Sequence, residues 1–222
     1  DEEGIQVDGS FHQHGPLLYN GGYGGAFLAE CLFFLEATRG TRWEPSASSR
    51  QLLADFLLDG TRWMLRGEDI HPGCRDREIT RPHRTNAGFG LQAASLADLG
   101  GPRQAGLRDL AAAIDARTAP GRLTGNRMFY RSDFMVQHEA AACLSVRMHS
   151  ARTVRAECCN NEGKRSHHVA DGLTFLLRSG AEYRDIFPVW DWQKLPGTTC
   201  LQTAEPETAQ TVWSRGLATT VG

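Results

Sequence analysis

Residues 8–24, DGSFHQHGPLLYNGGYG, form the most unusual stretch of the sequence. This short segment combines two histidines and two tyrosines with many glycines, and His14 lies nine residues before Tyr23. Apolar residues at helical spacing follow it directly, so we expect a loop that leads into a helix. Four glycines are predicted to shape the turn through backbone angles that other residues avoid: Gly21, Gly22, Gly24 and Gly25.

The histidine and the tyrosine of this loop suit acid–base chemistry. A sharp turn would hold His14 close to Tyr23, and one side chain could then accept a proton while the other donates one. The alternative is a glycine-rich turn in which both residues only form hydrogen bonds with their neighbours. The local sequence leaves both interpretations open.

Beyond the loop, apolar residues recur at helical spacing as far as residue 117. Four runs carry the pattern: Ala26, Phe27, Cys31, Phe34 and Leu35; Leu52, Leu53, Phe56 and Leu57; Leu91, Ala94, Ser95 and Leu99; and Leu107, Leu110 and Ile114. Glycine- and proline-containing segments separate the runs. We therefore expect four or five helices, and residues 1–117 are predicted to form a helical part.

The pattern after residue 117 is typical of β-strands. Its apolar segments are short and alternate with polar residues: RMFYRSDFMVQH, CLSVRMHS, DGLTFLLRSG and QTVWSRG. Residues 118–222 are therefore predicted to form a β-rich part. The fold class expected from the two parts together is a multidomain α+β protein.

Composition excludes several classes of protein. The formal net charge of −2 argues against a nucleic-acid-binding surface. No apolar run approaches the roughly 18 residues that cross a membrane. The six cysteines contain no C-x-x-C pair, and an even number of cysteines permits disulfides without establishing them. The histidines show no H-E-x-x-H pattern, so we expect neither a metal nor another cofactor.

A second candidate site lies in residues 71–84, HPGCRDREITRPHR, within an otherwise acidic chain. Arginine binds carboxylates through two parallel hydrogen bonds, which suits an acidic substrate. The alternative is a solvated loop with ion pairs inside the chain. Four arginines of this segment are the candidates: Arg75, Arg77, Arg81 and Arg84.

Two further segments in the β-rich part carry candidate residues. In residues 150–163, SARTVRAECCNNEG, Glu157 and Asn160 could join the arginines in one hydrogen-bonded unit, although Asn-Asn-Glu-Gly also suits a plain β-turn. In residues 187–199, FPVWDWQKLPGTT, the two tryptophans could stack on sugar rings. A β-rich context favours a place in the core for them.

These segments, taken together and in this order, resemble the family 8 polysaccharide lyases, which include hyaluronate, chondroitin AC and xanthan lyases. The resemblance rests on DGSFHQHGPLLYNGGYG, DREITRP, SDFMV, SVRMHSART and FPVWDWQKLPGTT, and it covers most of the chain. It implies the C-terminal part of an incomplete α/α toroid, followed by the start of an antiparallel β-sandwich domain.

The resemblance also implies roles for individual residues. It identifies His14 and Tyr23 as the catalytic pair, and Arg77 and Arg81 as an R-x-x-x-R pair beside them. Glu157 is implied to act with these arginines. Asn160 is expected to support them, and we add Arg84 as a substrate-binding or supporting residue. The double cysteine in ECCNNEG departs from the family pattern.

Family members also carry an asparagine and an aromatic patch upstream of the histidine loop, the segment of residues 8–24. We therefore expect this chain to be part of a longer protein. The missing helices would leave apolar faces uncovered, and Phe27, Phe34 and Leu57 are expected to be exposed.

The implied reaction is β-elimination on a polysaccharide that contains uronic acid, with no metal. An acidic glycan such as hyaluronan or chondroitin is the expected partner, with no nucleic acid and no membrane. The protein is expected to be a secreted monomer. Two alternatives stay open at this point: a xanthan-type lyase, and an inactive fragment that only binds glycans.

Overall fold

A computed structural model describes residues 3–82, 88–118, 123–204 and 214–215. The α-helices in these ranges are α1 (Gly25–Thr38), α2 (Ala47–Asp55), α3 (Gly88–Asp98) and α4 (Gln104–Asp115). The strands are β1 (Gly4–Ile5), β2 (Phe11–His12), β3 (Leu65–Arg66), β4 (Asp69–Ile70), β5 (Gly125–Phe129), β6 (Phe134–His138), β7 (Cys143–Arg147), β8 (Val154–Ala156), β9 (Leu173–Leu177) and β10 (Ser214–Arg215). The predicted order, helices followed by antiparallel strands, is confirmed.

Helix α1 buries a different face from the one that the apolar pattern indicated. Its buried residues are Leu28, Leu32 and Leu35, at the spacing of one helical face. Phe27 and Phe34 are 39% and 53% exposed, as expected. Because α1 is apolar on several sides, its sequence alone could not identify the face that meets the core.

The expected exposure of Leu57 is wrong. Helix α2 continues into a wide π-type turn, Phe56–Gly60, and Leu57 is fully buried there. This turn packs directly on the start of the histidine loop: a Cβ atom on Gly60 would lie 2.2 Å from the carbonyl oxygen of Gly9. Only glycine allows the two backbones to approach so closely.

Helices α3 and α4 form an antiparallel hairpin with apolar residues between them. The predicted core positions of α4 are buried: Leu107, Leu110 and Ile114. The connection between the helices uses left-handed backbone at Gly100, with φ +75°, and at Arg103, with φ +65°. A Cβ atom on Gly90 would lie 3.2 Å from the side chain of Ile114, so this glycine sets the spacing of the helices.

The main sheet is antiparallel, with strand order β5-β6-β7-β9. Burial alternates along β6, where Phe134, Val136 and His138 are buried. Phe129, Phe134 and Val136 belong to the same apolar core as the leucines of the helices. The sheet therefore packs directly on the helical part, and the boundary after residue 117 stays a prediction.

A second core forms between the sheet and the segments that follow it. Trp192 is 6% exposed, and its indole N–H donates to the carbonyl oxygen of Phe187 at 3.2 Å. Trp190 packs beside it on Phe175 and Phe187. The core interpretation of these tryptophans is confirmed, because their rings contact protein side chains on several sides.

Two further observations concern the whole chain. In the parts that the structure describes, no helix combines the length and the apolar character needed to cross a membrane. The cysteines all lie in described residues, and each of them is a free thiol. The disulfides that the even count permitted are therefore absent from this structure.

Candidate active site

His14 lies at the tip of a tight turn. The turn is closed by an antiparallel bridge between His12 and Leu18, and the N–H of Gln13 donates to the carbonyl oxygen of Leu17 at 3.2 Å. His14 has a left-handed backbone with φ +62°, and Gly15 follows with φ +83°. A non-glycine residue in this conformation costs of order 1–3 kcal/mol, so the surrounding contacts must hold it there.

The predicted reason for the glycine run is wrong. Among the described residues, left-handed backbone in this loop occurs at Gly9, His14 and Gly15 and not in the π-type turn Asn20–Gly24. The glycines of that turn instead permit close packing. A Cβ atom on Gly21 would lie 2.8 Å from Cγ of Arg75, and one on Gly22 would lie 2.8 Å from Oε1 of Glu78. The loop therefore rests directly on the arginine-rich segment.

The structure brings His14 and Tyr23 together. Their ring centroids are 5.1 Å apart in an edge-to-face arrangement. Nδ1 of His14 lies 2.6 Å from Oε2 of Glu157. Burial, and next the positive charge of Arg77, lower the pKa of His14 despite this carboxylate. A neutral His14 that donates Nδ1–H to Glu157 carries its lone pair on Nε2, where a base needs it.

Arg77 holds the hydroxyl of Tyr23. Its Nη2 donates to Oη of Tyr23 at 3.0 Å, and its Nη1 donates to Oη of Tyr19 at 3.2 Å. Since Oη of Tyr23 accepts this hydrogen bond, the hydrogen of the Tyr23 hydroxyl must point elsewhere. Burial raises the pKa of Tyr19, which stays neutral beside the guanidinium.

Glu157 is fully buried and contacts both sides of the site. Oε2 accepts from His14 at 2.6 Å, and Oε1 contacts Nη1 of Arg77 and accepts from the thiol of Cys159 at 3.0 Å. The backbone N–H of Glu157 donates to Oδ1 of Asp76 at 2.8 Å. A buried carboxylate with this many donors is fixed in position, as the supporting role predicted for Glu157 requires.

Asn160 is not brought to the arginines. Asn160 and Asn161 have φ values of +52° and +66° and form the tip of a two-residue turn closed between Cys159 and Glu162. Asn160 is exposed at this turn, and among the described residues it makes no contact with Arg77 or Arg81. The β-turn expected at Asn-Asn-Glu-Gly is present, and the role of Asn160 stays a prediction.

Glu162 makes the contacts with the arginines that were predicted for Asn160. Its carboxylate accepts from Nε and Nη2 of Arg81 at 2.6 and 2.7 Å, and from Nε of Arg77 at 3.2 Å. No role for Glu162 was predicted from the sequence. An Asn-Asn pair favours a two-residue turn, which pairs the residues on either side of it, and that signal could have pointed to Glu162.

The arginine cluster is more fully paired than expected. Nη1 of Arg81 lies 3.0 Å from Glu78, in addition to its pair with Glu162. Within the described residues, three carboxylates therefore contact the two guanidiniums of Arg77 and Arg81. The segment is mostly buried rather than solvated. The prediction for Arg84 lies outside the described residues.

The arrangement as a whole can transfer protons. It places the imidazole of His14, whose pKa is lowered by burial and by Arg77, beside Tyr23, and a network of arginine and glutamate side chains orients both groups. In the described part of the chain, no group of three or more histidine, cysteine, aspartate or glutamate side chains is arranged to hold a metal ion. The catalytic roles of His14, Tyr23, Arg77, Arg81 and Glu157 stay predictions.

Two family models match this chain. Residues 1–114 match the N-terminal α-helical domain of polysaccharide lyase family 8, and residues 124–222 match the super-sandwich domain of the same family. Together the two matches include every described residue of the candidate site.

Several known polysaccharide lyases are similar in sequence to this chain. The chain is 30% identical to the chondroitinase-AC of Pedobacter heparinus over 203 residues, which are 89% of this chain and 29% of the relative. It is 28% identical to the hyaluronate lyase of Thermasporomyces composti, over 90% of this chain and 30% of the relative. It is 24% identical to the xanthan lyase of a Bacillus species, over 89% and 25%. The chain thus spans less than a third of the length of these relatives.

Solved structures of lyases with these names superpose on this chain. A chondroitinase AC lyase solved as enzyme–oligosaccharide complexes superposes with a TM-score of 0.90 at 26% identity, over 97% of this chain and 32% of that one. The chondroitin AC lyase of Streptomyces coelicolor shares the fold, with a TM-score of 0.80 at 23% identity, over 93% and 34% of the two chains. The chain belongs to polysaccharide lyase family 8.

Proposed function

We propose that the full-length protein containing this chain is a polysaccharide lyase that cleaves acidic glycans by β-elimination beside a uronic acid. Hyaluronan or chondroitin is the proposed substrate. Two observations support this proposal: the chain is similar to lyases that carry these names, and the site places the imidazole of His14 against the ring of Tyr23. Secretion is part of the same proposal, since such polymers lie outside cells.

The proposed reaction needs one base and one acid. The base removes the hydrogen from C5 of the uronate, the electron pair forms the C4–C5 double bond, and the C4–O bond breaks. The leaving oxygen takes up a proton, and the new end is a 4,5-unsaturated uronate. His14 or Tyr23 accepts the C5 hydrogen, and Tyr23 donates the proton to the leaving oxygen.

The position of Arg77 carries this proposal. Its guanidinium places a positive charge 3.0 Å from the oxygen of Tyr23 that gives up and regains a proton. Preorganised charges of this kind stabilise developing negative charge without reorganisation during the reaction. Glu157 contacts both Arg77 and His14. It therefore positions His14 directly and the hydroxyl of Tyr23 through Arg77.

The guanidinium groups of Arg77 and Arg81 have no unoccupied pair of donors for the substrate. Every nitrogen of Arg77 and Arg81 contacts a carboxylate or a tyrosine hydroxyl of this chain. We therefore propose that Arg77 and Arg81 orient the proton-transfer groups. Neutralising the substrate carboxylate then falls to groups elsewhere in the full-length protein.

The test is an assay of the full-length protein with hyaluronan, chondroitin and xanthan as separate substrates. A lyase produces absorbance near 230 nm from the conjugated double bond together with new reducing ends, at about one double bond per cleavage. The expected result is this absorbance with hyaluronan or chondroitin. New reducing ends without absorbance would show a hydrolase, and activity on xanthan alone would reassign the substrate.

A further inference from the structure

The hydrogen-bonding fork of Arg81 is occupied by a carboxylate of the chain itself. Nε and Nη2 of Arg81 donate to the two oxygens of Glu162 at 2.6 and 2.7 Å. This two-point geometry is also the one with which arginine binds a uronate or a sulfate group. Glu162 therefore holds the position that an anion of a substrate would take at this arginine.

Glu162 is well placed to compete with such an anion. Its side chain is 25% exposed, so it lies at the edge of the cluster rather than inside it. The hydrogen bonds from Arg81 hold the pKa of Glu162 below its usual value, and the carboxylate stays ionised at neutral pH. Because Glu162 is part of the same chain, its effective concentration at Arg81 is high.

Arg81 also lies beside a second group of charged side chains. Arg81 lines a narrow cleft of about 20 Å³ together with Arg75 and Arg184. Two acidic residues, Asp69 and Asp185, also line it. Asp69 contacts Arg75 and Arg184, and Glu162 and Glu78 contact Arg81. These carboxylates repel a sulfate group that approaches the arginines.

We propose that Glu162 is a specificity-determining residue that disfavours a sulfate ester beside the uronate being cleaved. The site then prefers acidic glycans of low charge density over densely sulfated ones. This inference rests on the proposed lyase function and adds a preference among its substrates. Glu162 acts by screening Arg81 and Arg77, so its removal frees donors of these arginines that can bind a sulfate group.

The test compares full-length wild type with Glu162→Gln and Glu162→Asp on hyaluronan and on chondroitin sulfate. In Glu162→Gln, the ratio of kcat/KM for the sulfated substrate to that for the unsulfated one is expected to rise about tenfold, the scale of one hydrogen bond to a charged group. The rise is expected mainly in KM. Glu162→Asp keeps the charge and is expected to change the ratio less. The control Glu139→Gln removes an exposed glutamate from the β6–β7 turn and should leave the ratio unchanged.

A second readout does not depend on activity. Inorganic sulfate is expected to raise the thermal transition of Glu162→Gln by a larger amount than that of wild type, because the vacated fork of Arg81 binds it. Equal losses of kcat on both substrates, without a sulfate effect, would overturn the inference and make Glu162 a structural residue. If wild type releases no unsaturated product, the proposed function fails, and the sulfate titration still decides whether Glu162 screens Arg81.

Discussion

Tyr23 is the side chain on which the proposed chemistry depends most directly. Its ring contacts His14 and Tyr19, and Arg77 donates to its oxygen. Tyr23→Phe removes one oxygen atom and leaves these ring contacts in place. We expect kcat to fall by about 10²-fold or more, with a smaller change in KM, because the lost group acts in the transition state. Steady-state kinetics of the full-length variant give the answer, and turnover close to wild type would assign Tyr23 to packing.

If His14 is the base of the proposed reaction, its protonation state sets the acidic limit of activity. Burial, followed by the charge of Arg77, holds the pKa of His14 below its ordinary value of 6.5. A base must be neutral, so activity is lost only as the pH falls through this lowered pKa. We expect the acidic limb of kcat/KM against pH to lie below 6.5. A midpoint above that value would show that Glu157 outweighs burial and favours the imidazolium.

The turn that follows β8 positions both glutamates of the site, Glu157 and Glu162. Gly163 closes this turn with φ +76°. A Cβ atom there would lie 2.2 Å from the carbonyl oxygen of Glu157 and 2.9 Å from Cβ of Arg77. Any side chain at this position must therefore displace the backbone that carries Glu157.

This packing makes Gly163→Ala a sensitive test of the turn. We expect activity to fall by about 10²-fold, since a shift of roughly 1 Å in a positioning group has that effect. Gly40→Ala is the matched control, because Gly40 has a similar φ of +70° with nothing within 4 Å of an added Cβ atom. The control should lose about 1–2 kcal/mol of stability through backbone strain, without losing activity once folded. Equal activity losses in the two variants would contradict this assignment.

Across the whole molecule, a buried ion pair joins the sheet to the helical part. Arg147 on β7 donates to Asp76 at 2.6 Å and to the carbonyl oxygen of Gly73 at 2.8 Å. Asp76 in turn accepts from the backbone of Glu157. The contact that docks the sheet therefore also positions Glu157.

Arg147→Met tests the importance of that pair. Leaving Asp76 buried without its partner is expected to lower the free energy of unfolding by about 3–5 kcal/mol. Arg152→Met is the control: Arg152 pairs with Asp133 but is 52% exposed, and its loss should cost about 1 kcal/mol or less. Denaturant unfolding of the full-length variants measures both. The double variant Arg147→Met/Asp76→Asn should recover part of the loss, and no recovery would show that the packing of Arg147 matters more than its charge.

Local patterns in the sequence were sufficient for much of this protein. The helical and strand spacing, the Asn-Asn turn, the core position of the tryptophans and the segment that joins His14 to Tyr23 depend on neighbouring residues. Periodicity and turn chemistry act over a few residues, so one chain without coordinates is enough to identify them. The family resemblance narrowed the candidate arginines to Arg77 and Arg81 and linked them to Glu157, and the structure brings these three residues into one cluster.

Tertiary packing alone decided the rest. Arg81 meets Glu162 across 81 residues of sequence, and the docking of the sheet through Arg147 and Asp76 creates that contact. The same packing leaves Asn160 exposed to solvent and buries the leucine face of α1. The glycines of the histidine loop were assigned to unusual backbone angles, but the structure uses them for close approach to the arginine segment. No local pattern specifies which atoms lie across such a contact, because the partner comes from a distant part of the chain.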